Sequence, residues 1–162
     1  MLTTVAAGTG TGAAIDLSTR RVPNSLTICL AAIGVALAAT GWSGITIGTS
    51  LAGFLLGFAL MLPGHVIGAT GAGDVKLLAA VGAVLGAPRV VSAFLYTAIA
   101  GGLIAFIVAI GRRRLRTTLG QTARLITTAA ANATEIESPH VNNRFAYAPA
   151  IAIGAIAASV QW

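Results

Sequence analysis

Apolar stretches alternate with short polar ones along the chain, and this alternation predicts membrane-spanning helices. No charged residue occurs from Ser25 to Leu62, a run too long for one span of ~20 residues. The turn-forming segment Gly41-Trp42-Ser43-Gly44 divides it into two helices, with Trp42 suited to the membrane interface. Further apolar stretches cover residues 1–15, 77–87, 90–111 and 147–162. We therefore predict an all-α, polytopic membrane protein of about six transmembrane helices in one domain, residues 1–162.

The first of these stretches is the weakest as a span. Residues 1–15 would form a helix of only ~22 Å, shorter than the ~30 Å hydrocarbon core of a bilayer. The polar segments between the stretches are residues 17–24, 63–76 and 112–146. In the first segment, Pro23 and Asn24 are turn residues, and we expect Asn24 or Ser25 to cap the next helix. We expect residues 112–146 to be a cytoplasmic polar loop whose first half, 119–131, is a helix on the membrane surface.

Composition supports a membrane protein and gives it an orientation. Of the 162 residues, 56% are hydrophobic and 9% are charged, whereas soluble domains are about 25% charged. The net charge of +6 does not indicate nucleic-acid binding, because the basic residues gather at the ends of apolar stretches without interleaved aromatic residues. Nine of the ten fall in alternate polar segments, and only Arg89 falls on the other side. The positive-inside rule then makes that side cytoplasmic and places both termini outside.

Small residues are expected to hold these helices together. Two segments, Gly53–Gly57 and Gly82–Gly86, have glycines at the four-residue spacing that lets membrane helices approach closely.

Two of the four acidic residues stand next to the predicted bilayer. Asp16 and Asp74 each lie at the end of an apolar stretch on the predicted cytoplasmic side, whereas Glu135 and Glu137 belong to the polar loop. A carboxylate near a membrane is costly and is therefore a functional candidate. Two such groups brought together share a proton, so that one can activate water as a base while the other polarises a peptide carbonyl. The same spacing also fits two aspartates that only cap helices or pair with neighbouring basic residues.

The surroundings of Asp74 favour a site over a cap. Gly71 and Gly73 precede it, and glycine permits positive φ angles and close approach of a substrate. Lys76 follows, either as part of the site or as an anchor for lipid headgroups. The glycine-rich segment does not predict nucleotide binding, because Asp74 stands where a phosphate-binding loop needs Lys-Ser/Thr.

No metal or cofactor is expected. His65 and His140 are the only histidines, and their spacing from the acids is not that of metal ligands. The lone Cys29 excludes a cysteine zinc cluster.

These residues resemble those of the type IV prepilin peptidases. The segment Asp16-Leu-Ser-Thr-Arg-Arg21-Val-Pro23-Asn24 looks like the family's first aspartate signature, with Val22 in place of the usual Ile. The segment Gly71-Ala-Gly73-Asp74-Val-Lys76 is similar to the second signature, Gly-x-Gly-Asp-x-Lys. The segment Tyr147-Ala-Pro149-Ala looks like the family's closing motif. The chain is most similar to the short form that accompanies Flp/Tad-type systems, which lacks the N-terminal domain with paired cysteines.

The resemblance implies a hydrolase of the inner membrane with its active site facing the cytoplasm. Asp16 and Asp74 would be the catalytic pair of an aspartic endopeptidase that removes the basic leader from prepilin or pseudopilin precursors. The residues expected to shape the site or contact substrate are Arg21, Pro23, Asn24, Gly71, Gly73 and Lys76. Two other interpretations stay open: an inactive paralogue acting as a subunit of pilus assembly, and a small proton-coupled transporter that uses the aspartates.

Overall fold

Six α-helices make up the described part of the chain, which covers residues 2–19, 22–67, 69–111 and 147–160 of a computed structural model. They are α1 (Leu2–Thr19), α2 (Asn24–Ala39), α3 (Ile47–Val66), α4 (Ala72–Leu85), α5 (Ala87–Gly111) and α6 (Ala148–Val160). The prediction of an all-helical fold is confirmed for these ranges. Residues 20, 21 and 112–146 lie outside them, and so do the predicted surface helix 119–131, Glu135, Glu137 and His140.

The boundaries of the first two helices differ from those predicted. Helix α1 continues through Asp16 to Thr19, because neither Leu17 nor Ser18 breaks a helix, and at 18 residues it is ~27 Å long. The prediction that Asn24 or Ser25 caps α2 is wrong. Pro23 occupies the N-cap position with extended backbone angles and makes no side-chain cap. Asn24 is therefore the first helical residue, and its side chain is left to bond elsewhere.

The later boundaries follow the positions of proline and glycine. The predicted division at Gly41–Gly44 is confirmed: both glycines have positive φ, and α2 and α3 are separated there. Pro63 was expected in a loop but lies inside α3, close to its end. Pro88 lies in the first turn of α5, where the missing N–H of proline costs no helical hydrogen bond. Gly86, with φ of 81°, makes the sharp turn between α4 and α5.

Helix α4 forms the centre of the bundle. Its residues from Val75 to Leu85 are buried except for Lys76, and α2 and α3 pack against it through glycines. A Cβ on Gly57 would lie 2.6 Å from the carbonyl oxygen of Leu78, and one on Gly53 would collide with the carbonyl oxygen of Gly82. The predicted packing of the two small-residue segments is thus confirmed, because the glycines let the two backbones touch.

The outer surface of the bundle is strongly apolar. The segments Ile47–Val66 and Ala87–Val108 are long and apolar enough to cross a membrane, and only 22% of an 18-residue stretch of each is buried. Large side chains such as Leu55 and Ile107 are 66% exposed. A soluble monomer rarely exposes so large an apolar surface, so these helices indicate a membrane protein. None of the other described helices combines that length with that hydropathy. The six-span arrangement therefore remains a prediction.

Candidate active site

The fold brings Asp16 and Asp74 into one buried site. Asp16 lies in the last turn of α1, Asp74 lies in the first turn of α4, and each is only 6% exposed. The negative charge of Asp16 contributes to raising the pKa of Asp74, so the two carboxylates are close enough to interact electrostatically. Their juxtaposition depends on α1 and α4 packing together at the same end of the bundle.

The carboxylate of Asp16 is held by the beginning of α6. The backbone N–H of Ala148 donates to Oδ2 of Asp16 at 3.4 Å. Ala148 is the first residue of α6, so the carboxylate also lies at the positive end of that helix dipole, where a negative charge is favoured. The next residue, Pro149, has no N–H to compete for the same acceptor. The bond joins residues 132 positions apart, and no local pattern predicts it.

Asp74 is the third residue of α4 and folds back on the residue that precedes the helix. Its Oδ2 accepts a hydrogen bond of 3.1 Å from the N–H of Gly71. Burial raises the pKa of Asp74 to about 6; the Gly71 N–H lowers it in part, and the charge of Asp16 raises it further. This carboxyl lies in the first turn of α4, before the apolar segment of the helix. Because its pKa is raised, it binds a proton far more readily than an ordinary aspartate.

The two aspartate segments also contact each other through their neighbouring residues. Gly73 packs against Val22, and a Cβ on Gly73 would lie 3.2 Å from the Cβ of Val22. A Cβ on Gly71 would lie 3.2 Å from Oδ2 of Asp74. The expectation that these glycines supply positive φ angles is wrong, since Gly71 has φ of −76° and Gly73 is helical. They instead leave room for the carboxylate and for the loop before α2.

Lys76 faces away from the aspartate pair. It is two residues beyond Asp74, which is a rotation of ~200° around the helix. Its Nζ donates to Oδ1 of Asn24 at 3.0 Å, and both side chains are exposed. Lys76 and Asn24 therefore join α4 to α2 on the outer side of α4. Arg21, the remaining residue predicted for the site, lies outside the described residues.

Tyr147 is an additional residue at the site that was not predicted as part of it. Its ring packs partly into the core, and a Cβ on Gly101 of α5 would lie 2.6 Å from its hydroxyl oxygen. Tyr147 is also within electrostatic range of Asp74. The Tyr-Ala-Pro motif was the available signal, because it places this ring immediately before α6.

His65 contacts the turn between α3 and α4 and not the two aspartates. Its Nδ1 lies 3.1 Å from the carbonyl oxygen of Thr70, across the turn between α3 and α4. Within the described ranges, no three His, Cys, Asp or Glu side chains come together. Cys29 is exposed on α2.

Comparison with known proteins gives one match. Residues 4–106 match the sequence profile of a family described as the type IV leader peptidase family. No curated protein and no solved structure matches the chain. The matched region contains both aspartates, all of α2–α4 and all but the first two residues of α1.

Proposed function

The chain belongs to the type IV leader peptidase family, and on that premise we propose that it is an aspartic endopeptidase which cleaves prepilin-like precursors with Asp16 and Asp74. Family membership identifies it as a peptidase in general. The observation that supports these two residues is their convergence: two aspartates from distant parts of the chain lie in one buried, electrostatically coupled site.

The two carboxyls have different environments, and this suggests a role for each. Asp16 accepts from the N-terminus of α6, which favours its ionised form. Asp74 has its pKa raised to about 6 by burial, which favours the protonated form. Asp16 would then be the general base and Asp74 the general acid, with the pair sharing one proton.

Hydrolysis follows from these roles. Asp16 removes a proton from a water molecule while the water oxygen attacks the carbonyl carbon of the scissile peptide. Asp74 donates its hydrogen to the carbonyl oxygen, which carries the developing negative charge. Collapse of the tetrahedral intermediate breaks the C–N bond: the proton held by Asp16 passes to the leaving amine, and one hydroxyl proton of the intermediate returns to Asp74 as the carbonyl re-forms. The products are the leader with a free carboxylate and the mature chain with a new amino terminus.

The site would lie at the cytoplasmic face of the inner membrane. The helix ends around the aspartates adjoin the segments 20–23, 67–71 and 112–146, which contain most of the basic residues. The positive-inside rule assigns that end of the bundle to the cytoplasm. A precursor with a basic leader and an apolar helix would present its cleavage site at this level, and both termini of the peptidase would lie outside.

Co-expression with a prepilin-type precursor tests the proposal. Asp16→Asn and Asp74→Asn keep the shape of each side chain but remove its ability to accept or donate a proton, and we expect each to abolish leader removal in a gel-shift assay. The matched control is Thr40→Val, an equally isosteric change at the exposed turn after α2, which should process normally.

The outcomes separate the proposal from its alternatives. Normal processing by either aspartate variant would exclude the dyad. If the wild-type chain processes no precursor but its deletion impairs pilus assembly, it is an inactive subunit. Proton-coupled flux in proteoliposomes that Asp74→Asn abolishes would indicate a transporter.

A further inference from the structure

A long apolar groove runs along the outer side of the bundle, away from the aspartates. Helices α2 and α3 both pack on α4 but touch each other little, and the groove between them has a volume of about 620 Å³. The floor is formed by small residues of α2 and α4, and the walls are large apolar side chains. The apolar lining includes Ile28, Ala32, Val35, Leu51, Phe54 and Phe58.

One end of the groove is polar and carries a positive charge. Asn24, Thr27 and Lys76 line this end, which is also the end of the bundle that holds the aspartates. One N–H of the Lys76 ammonium is used by Oδ1 of Asn24, and this bond fixes the ammonium at the mouth of the groove. No carboxylate among the described residues forms an ion pair with it. The two remaining N–H groups of the Lys76 ammonium can therefore donate hydrogen bonds to an anion.

The groove is separate from the candidate active site. Lys76 and Ala79 of α4 face the groove, whereas Asp74 is within electrostatic range of Asp16 on α1 and of Tyr147 just before α6. The rotation of ~200° between Asp74 and Lys76 places the body of α4 between them. A substrate peptide held between the aspartates would therefore not continue directly into the groove.

We propose that this groove binds an anionic phospholipid, with the lipid phosphate on Lys76 and an acyl chain between α2 and α3. The apolar walls match a hydrocarbon chain, and the cation at the headgroup end matches a phosphate.

The dimensions of the groove favour an acyl chain over a protein helix. Its lining on α2 extends from Asn24 to Val35, a length of ~17 Å. A helix ~10 Å in diameter occupies ~1,300 Å³ over that length, about twice the volume of the groove. Its volume lies within the ~300–1,000 Å³ of sites for small ligands.

Lipid titration of the full chain in detergent, followed by native mass spectrometry, tests this proposal without any peptidase substrate. The probes are phosphatidylglycerol and phosphatidylcholine with identical acyl chains. We expect one phosphatidylglycerol per chain, bound about fivefold more tightly than phosphatidylcholine, the preference that one interfacial lysine supplies. Lys76→Gln should remove this preference, and Lys76→Arg should retain it.

A second pair of variants tests the acyl-chain site. Ala32→Phe fills the groove from its exposed side and should weaken binding of both lipids, whereas Ala98→Phe, on the exposed face of α5, should not. Equal affinity for the two lipids, an unchanged preference in Lys76→Gln, or unchanged binding in Ala32→Phe would overturn the proposal. A photocrosslinker at position 32 that captured a co-expressed precursor helix, rather than lipid, would also overturn it.

Discussion

Replacing Asp74 with asparagine should make the folded protein more stable at neutral pH while removing its activity. The pKa of Asp74 rises from 3.8 to about 6 on folding. Between these pH values the folded chain binds more protons than the unfolded chain, so the free energy of unfolding falls as the pH rises. Below pH 3.8 the carboxyl is neutral in both states and burial costs little. Above pH 6 the folded protein carries a buried charge.

The size of the effect follows from the pKa change. A rise of about two pKa units corresponds to about 3 kcal/mol between the two protonation states. Asp74 is only 6% exposed, so solvent screening reduces this figure little. Asparagine does not ionise, and its Oδ1 can still accept from the N–H of Gly71. Asp74→Asn should therefore raise the free energy of unfolding by up to about 3 kcal/mol at pH 7, which corresponds to a rise of ~6–12 °C in Tm for a chain of this length.

Thermal unfolding in one detergent at pH values from 4 to 8 measures this directly. The difference in Tm between Asp74→Asn and the wild type should be near zero at pH 4 and should reach its maximum above pH 7. Thr40→Val should show a difference that does not vary with pH. A Tm advantage of Asp74→Asn that is independent of pH, or one that grows toward acid pH, would refute the assignment of a buried, proton-binding carboxyl.

Three further predictions follow from the site and the packing. If Asp74 is the general acid, kcat/KM should fall about tenfold per pH unit above pH ~6; a rate that rises through pH 6 would make Asp74 the base instead. In Asp16→Asn, the loss of a neighbouring negative charge should lower the pKa of Asp74, which reduces the pH dependence of Tm. Gly53→Ala should cost ~1–3 kcal/mol because its Cβ meets the Gly82 carbonyl. A Cβ on Gly102 would have no atom within 4 Å, so Gly102→Ala should raise the free energy of unfolding by ~0.5–1 kcal/mol. Equal effects of the two substitutions on Tm would contradict the close packing of Gly53 against α4.

Local patterns predicted the helical fold well and the helix ends poorly. The uncharged run to Leu62 and the glycines at 41 and 44 were enough to predict α2 and α3, because hydropathy and positive φ act over a few residues. The ends at Thr19 and Val66 were not predicted, because leucine, serine and a proline near a helix end do not by themselves stop a helix. Which residue caps α2 depended on the backbone angles of Pro23.

For the candidate site, the sequence by itself determined which groups are available. Asp16 and Asp74 are the acids next to apolar stretches, and their signatures are visible as short local motifs. Only the tertiary structure decided what surrounds them. The Ala148 amide reaches Asp16 because α1 and α6 pack together, and burial of Asp74 by the bundle raises its pKa. The direction of Lys76 likewise depends on which helices cover each side of α4. Such contacts join residues far apart in the chain, and no local pattern encodes them.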